Sequence, residues 1–357
     1  MMIQKTIQPS ARSHIRAWLL GILSFGLTAC FISVSASAQN PYTIVDMAGR
    51  NVTLSGRAER IITTFKPATL SVLSLGLADR LVAVDSFSPR VRINTSVYPG
   101  ISELPKIGNR STGLNMETVI SLKPDLVILY AQKDGILTAD RLVRSGIPAI
   151  VILPESLDSI KETLRIIAQA AGCPERAETV IQAIDHVMDI VHARTADIEV
   201  QQRKTVYYAG PDGFFTTAPG TMLQDEMISQ AGGINAAHNL TGFFKPISPE
   251  QFVQWNPDAV FVCREIRSSA GTYLKKPELA EVAAVKSGQF FCIPSSHAPW
   301  DFPSPLSVLG VLWAGKRLYP DRFHDIDLTK EIDRFHEILF SRSFTEMGSR
   351  LEDTLDP

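Results

Sequence analysis

The chain has 357 residues, enough for two globular lobes at ~100–200 residues per domain. Hydrophobic residues make up 45% and charged residues 20%, with mean hydropathy +0.07, a balance that excludes a disordered chain, a collagen and a polytopic membrane protein. A formal charge of −2 leaves no basic excess for nucleic acid, and four cysteines do not make a disulfide scaffold.

Residues 1–38 read as an address. Lys5, Arg12 and Arg16 precede or open an apolar run from Ala17 to Val34, and Ala36-Ser37-Ala38 follows. That order of charged, apolar and small-residue segments is that of a secretory signal peptide cleaved after Ala38. Ser24, Thr28, Ser33 and two glycines inside the run argue against a membrane anchor. Leu27-Thr28-Ala29-Cys30 also reads as a lipobox, so lipid anchoring at Cys30 is the alternative; either way the mature protein works outside the cytoplasmic membrane. Cys263 and Cys292 each lie in an apolar run, as a disulfide between neighbouring strands or as two buried free thiols.

After this segment, Tyr42–Asp46 and Asn51–Leu54 flank a turn and predict a β-hairpin. Strands are then expected at Arg60–Thr64, Leu81–Val84, Asp125–Leu129 and Ala149–Leu153, alternating with helices at Ala68–Leu77, Met116–Leu122 and Thr138–Ser145. From Pro174 onward, Ala177, Val180, Ile181, Ile184, Val187, Met188 and Val191 form one apolar stripe at helical spacing. Running to about Ala196, this helix would be ~34 Å long at ~1.5 Å per residue. The alternation then restarts, with strands at Thr205–Tyr208, Ala259–Val262 and Gln289–Ile293 and helices at Thr221–Ala231, Pro249–Gln254, Pro305–Leu318 and Thr329–Leu339. The expected fold is α/β: two Rossmann-like lobes with mostly parallel sheets, joined by one long helix. The corresponding division is a signal segment 1–38, an N-terminal lobe 42–172, a connecting helix 173–197 and a C-terminal lobe 198–357.

Two segments repeat one pattern. In Asn115 to Ile128 and again in Ser248 to Phe261, a polar N-cap opens a two-turn helix, a Pro-Asp turn ends it and an apolar strand follows. Glu117 and Asp125 occupy the same relative positions as Glu250 and Asp258. Ser248 and Gln251 are spaced as a capping box, with Pro249 in the favoured first position. First-turn helix electrostatics explains an acid at either site, but not the same device in two lobes.

With these features the chain resembles the periplasmic solute-binding proteins of ABC importers for ferric siderophores, haem and vitamin B12, the type with a single helix between lobes. The resemblance is carried by Asp46-x-x-Gly49-Arg50-x-Val52, Arg60-Ile61-Ile62, Gly76 through Val84, both repeat segments and Gln230 through Asn235, and it covers residues 42 to 340. It implies two rigid lobes, a ligand in the cleft between them, small opening motions, and a periplasmic monomer that serves an ABC permease dimer with its ATPase. It also implies that one surface glutamate of each lobe docks on the permease; Glu117 and Glu250 fit that role.

In such folds ligands lie beyond the carboxyl ends of the strands. That rule selects Phe65, Lys66, Tyr130, Tyr208, Phe215, Arg264, His297 and Trp300, while Arg110 and the Phe244-Lys245 pair precede the two repeats. Singly, each is equally explained as core or surface. Together, aromatics alternating with Lys66, Arg110, Lys245 and Arg264 suit an anionic ligand with a flat or apolar part. A ferric siderophore-like complex is therefore expected, with haem, cobalamin or an oxyanion such as molybdate as alternatives. No intrinsic cofactor, no resident metal and no catalytic residue is expected. G-x-S-x-G, H-E-x-x-H and P-loop patterns are absent from the sequence. A metal-chelatase-like envelope enzyme, the alternative of another class, would have to use His297 with Asp301.

Overall fold

The computed structural model describes residues 41–109, 113–294 and 296–353. The expected signal segment 1–38, Cys30 and Arg110 lie outside the described residues. Two four-stranded, wholly parallel sheets organise the chain. The first runs Leu81–Val84, Ile61–Thr63, Leu126–Tyr130, Ala149–Ile152 across the sheet; the second runs Ile234–Asn235, Thr205–Ala209, Ala259–Val262, Phe290–Cys292. Numbered by appearance within each lobe, the first sheet places its second strand at the edge beside its first, and so does the second sheet. One topology is used twice.

Helices on both faces bury most residues of these strands, which is why they read as continuous apolar runs. Alternate residues point to opposite faces. Ile61, Ile128 and Ile150 join the larger core, while Ile62, Val127 and Val151 face a smaller one with Val119 and Leu142. The antiparallel hairpin Tyr42–Val45/Asn51–Leu54 is clamped to the first sheet by Asp46. This buried carboxylate accepts from the backbone N–H of Ala48 (3.0 Å), Arg50 (2.9 Å) and Val151 (3.0 Å), and pairs with the Arg50 guanidinium at 3.0 Å. Gly49 supplies the turn's positive φ of 73°. The Asp-x-x-Gly-Arg motif is thus a structural fastening.

The lobes are joined by the helix Pro174–Thr195, whose predicted stripe from Ala177 to Val191 is buried. It packs on the helix Leu157–Ala171 of the first lobe and on Ser307–Leu318 and Leu328–Phe340 of the second. Near its start, Arg176 donates to the carbonyls of Ser74 (2.9 Å), Ile338 (2.8 Å) and Leu339 (2.7 Å), tying the ends of two other helices to the connector. Helix ends leave carbonyls without intrahelical partners, and one half-buried guanidinium serves three of them here. No described helix is long and apolar enough to cross a membrane.

The structure adds elements that the sequence pass left out. The helix Leu157–Ala171 opens on a Ser156/Ser159 capping box and buries Leu157, Ile160, Leu164, Ile167, Ala168 and Ala171. The strand Ile234–Asn235 completes the second sheet. At Ser248 only half of the expected capping box forms: its hydroxyl accepts from Gln251 N–H at 3.2 Å, while the Gln251 side chain turns to Gln254. Cys263 and Cys292 are buried and form no disulfide, and neither does Cys173.

The two repeat segments match in local hydrogen bonding as well as in pattern. Asn115 and Ser248 cap their helices by accepting from the N–H three residues on, at 3.0 and 3.2 Å. Each helix is followed by a residue of left-handed conformation, Lys123 (φ 46°) or Asn256 (φ 43°), directly before the Pro-Asp pair. Asp125 then accepts from Arg60 N–H at 3.0 Å and Asp258 from Thr205 N–H at 2.7 Å. In both lobes the second acid of the repeat anchors the entry of the lobe's first sheet strand. Its role is structural, and the outward Glu117 and Glu250 are left to be explained.

Candidate functional site

A cleft of about 250 Å³ opens between the lobes, bordered by residues of both. Its acidic and phenolic groups follow the carboxyl ends of parallel strands, where the fold leaves a crevice, while Gln224 comes from the helix Leu223–Gln230. Tyr130 closes the strand Leu126–Tyr130, Phe65 follows Ile61–Thr63, and Glu155 follows Ala149–Ile152. From the second lobe, Tyr208 lies at the end of Thr205–Ala209, Glu265 follows Ala259–Val262, and Asp301 follows Phe290–Cys292 through a loop.

The first-lobe wall is a contact pair of rings, Phe65 and Tyr130, with centroids 4.7 Å apart. Gln132 donates to the Tyr130 hydroxyl at 3.0 Å and to the Glu155 carboxylate at 3.3 Å. On the opposite wall Tyr208 stacks on Phe244, 6.1 Å between centroids and 18° between planes. The Tyr208 hydroxyl donates to Asp301 at 2.9 Å, and Gln224 donates to the Asp301 carbonyl at 2.8 Å. Burial, reinforced by the charge of Glu265, pushes the Asp301 carboxyl up to about 6. Burial likewise holds the Tyr208 phenol far above its ordinary range, so it stays a donor. Phe243, Phe302 and Pro303 extend the apolar lining, and the Lys66 ammonium sits 4.4 Å over the Phe302 ring.

Comparison with known proteins adds the family. The periplasmic binding protein family matches residues 61–297, which hold both repeats and most of the cleft. This chain belongs to that family. It is the solute-binding component of an ABC importer. The molybdate-binding protein MolA of Haemophilus influenzae is 25% identical over 345 residues, spanning 89% of this chain and 96% of the relative. The vitamin B12-binding protein of Yersinia pestis is 28% identical over 205 residues, 57% of this chain and 69% of the relative. The solved structure of molybdate-bound MolA has the same fold, with a TM-score of 0.74 at 23% identity, covering 85% of this chain and 98% of that one.

The structure of this periplasmic binding protein brings Phe65, Tyr130, Tyr208 and Phe244 to the cleft lining, with Lys66 beside it. It takes others away. Phe215 packs in an aromatic cluster with Phe214, Phe252 and Tyr273. Lys245 is exposed on a two-residue strand paired with Thr216–Thr217. Arg264 borders a separate polar depression with Arg92, Arg267 and Glu352. Trp300 is 2% exposed and lies behind the wall against Phe344; its successors Asp301, Phe302 and Pro303 form the wall instead. His297 is buried beside Phe344, and neither ring nitrogen has a hydrogen-bond partner among the described residues. Burial therefore drives its pKa down to about 4. Because Asp301 faces Tyr208 in the cleft while His297 sits in the core, the pair that a chelatase-like enzyme would need does not assemble. No group of three or more His, Cys, Asp or Glu among the described residues could hold a metal ion.

Glu155 and Glu265 are the site residues that sequence reasoning missed; Asp301 entered it only as a partner for His297. The same rule that selected Tyr130 and Phe65 selects them, since each follows a sheet strand.

Proposed function

We propose that this importer component carries a compact metal chelate of neutral or positive charge, of the corrinoid or ferric-hydroxamate class. The observation behind this reading is the composition of the cleft: six aromatic rings and three carboxylates, with Lys66 as the cation beside them. Aromatic walls supply area to a flat or apolar body, and carboxylates with glutamine carbonyls accept from amide or ammonium donors at the ligand's rim. An anionic ferric complex, such as the triscatecholate kind, would bring like charge to Glu155, Glu265 and Asp301. The bare oxyanion of the MolA relative would meet the same repulsion. A periplasmic location follows from the export signal we assign to residues 1–38, and we take 42–172 and 198–357 as the lobes that grip the ligand about the rod 173–197.

Calorimetric titration with cyanocobalamin, a cationic ferric trihydroxamate, a ferric triscatecholate, haem and molybdate tests the reading. Dissociation constants near or below ~1 μM are expected for one of the first two, about −8 kcal/mol of binding. Tight binding of the catecholate or of molybdate, with neither of the first two bound, would overturn it.

We assign Glu117 and Glu250 to permease docking. Both are exposed, on matching helices of the two lobes. The Glu250 carboxyl is held below its usual range by its own backbone N–H and by the Ser248 hydroxyl, so it stays charged in mild acid. Replacing both by Ala is expected to abolish uptake while ligand affinity stays within about twofold; a matching loss of affinity would reject the assignment.

A further inference from the structure

Ile120 and Val253 are large aliphatic side chains left 46% and 39% exposed on helices that each bury one apolar residue, Val119 or Phe252. A single exposed aliphatic is ordinary. These two occupy the same position of the repeat. Each lies three residues after the exposed glutamate, Glu117 or Glu250, and directly after a fully buried anchor, Val119 or Phe252. Three residues along a helix place side chains side by side, about 5–6 Å between Cβ atoms. The helices Met116–Ser121 and Pro249–Trp255 are held in equivalent places, since Asn115 and Ser248 cap them and Asp125 and Asp258 lock the turns that follow. The same acid-plus-aliphatic pair is therefore presented once by each lobe, on lobes of one topology.

We infer that each lobe docks through this two-residue unit, Glu117 with Ile120 and Glu250 with Val253, and that the occupant is the permease dimer, each subunit offering a cation beside a small apolar recess. The inference rests on the docking assignment proposed above and extends it. A partner with two equivalent subunits is the surface that two equivalent units fit, because twofold symmetry repeats whatever recess one subunit offers. The halves of the unit do different work. Carboxylates steer approach and set orientation at long range, whereas a buried aliphatic side chain acts only in contact and lengthens the complex's life.

The test measures binding of the full protein to its permease–ATPase complex in nanodiscs, following association and dissociation at several salt concentrations. Ile120→Ser with Val253→Ser is expected to speed dissociation roughly a hundredfold, about tenfold per site, with the association rate and its salt dependence unchanged. Glu117→Gln with Glu250→Gln is expected to slow association and flatten its salt dependence. Unchanged melting temperatures confirm that these surface variants fold. If the glutamate variant weakens binding and the aliphatic variant dissociates like wild type, this inference fails and the docking assignment stands. If neither variant alters binding, the docking assignment itself fails. A concentration-dependent dimer in sedimentation that the aliphatic variant abolishes, with permease dissociation unaltered, would give the patch to a second copy of the chain and overturn the inference.

Discussion

Acidification from pH 7 to pH 5 is expected to lower the stability of the folded protein by roughly 2–3 kcal/mol, most of it through two buried histidines. His297 and His336 flank Phe344, with ring centroids 5.9 and 5.2 Å from it. Burial is the first cause that lowers each from the ordinary 6.5 to about 4; His336, Arg92 and Arg342 add to the shift at His297. At His336 the Ile332 carbonyl and Asp333 oppose it. A depressed folded-state pKa means stability that is present above 6.5 and lost as pH falls through 4. Each histidine forfeits roughly 2 kcal/mol by pH 5 and roughly 3 kcal/mol below pH 4. Asp301 works in the opposite sense. Its pKa is raised from 3.8 to about 6, so ionisation above pH 6 strains the fold, and protonation on the way to pH 5 returns roughly 1 kcal/mol. Urea unfolding at pH 7 and pH 5 checks the balance. The double variant His297→Leu/His336→Leu should lose the acid sensitivity and become slightly more stable at pH 5 than at pH 7. An unaltered pH slope in that variant would refute the account.

Reversing the charge of the cleft should exchange its ligand preference. Glu155 is half-buried and Glu265 is exposed, so lysine at either place can be hydrated, and the fold should tolerate Glu155→Lys/Glu265→Lys within about 1 kcal/mol. Each carboxylate that accepts from a ligand amide or ammonium contributes roughly 1.5–3 kcal/mol as a charged hydrogen bond. Removing both should weaken a neutral or cationic chelate by about 10²–10⁴-fold. The same change should raise affinity for an anionic ferric catecholate, because three carboxylates facing one ammonium become Asp301 facing three. Parallel calorimetric titrations of wild type and variant with the two chelates measure the exchange. A variant that keeps the wild-type order of affinities would show that the acids lie outside the ligand's reach.

Much of the architecture could be read before any coordinates because it rests on local rules. Apolar runs of four or five residues marked seven of the eight sheet strands to within a residue or two, and the stripe from Ala177 to Val191 marked the connector. The helix Leu157–Ala171 escaped because its capping box uses Ser159 in place of the usual glutamate or glutamine. The strand Ile234–Asn235 has two residues and exists only by pairing with Thr205–Ala209, which no local pattern reveals. The site divides the same way. Tyr130 and Phe65 follow from strand ends, but an acid in the same place reads as surface charge, and so Glu155 and Glu265 were passed over. Arg264 and Lys245 were drawn in by proximity along the chain, but Arg264 borders a separate depression and Lys245 is an exposed residue outside the cleft lining. His297 and Trp300 were misjudged because Phe344, the ring that covers both, arrives from more than forty positions downstream.

The three-carbonyl grip of Arg176 at the foot of the connector carries a kinetic corollary. A strut fastened in this way would keep the outward faces of both halves at nearly constant spacing, whether the crevice is filled or vacant. If those faces seat the protein on its transporter as proposed, an unladen copy occupies the same berth as a laden one. Import would then scale with the fraction of copies carrying cargo, and surplus vacant protein would act as a competitive brake on uptake.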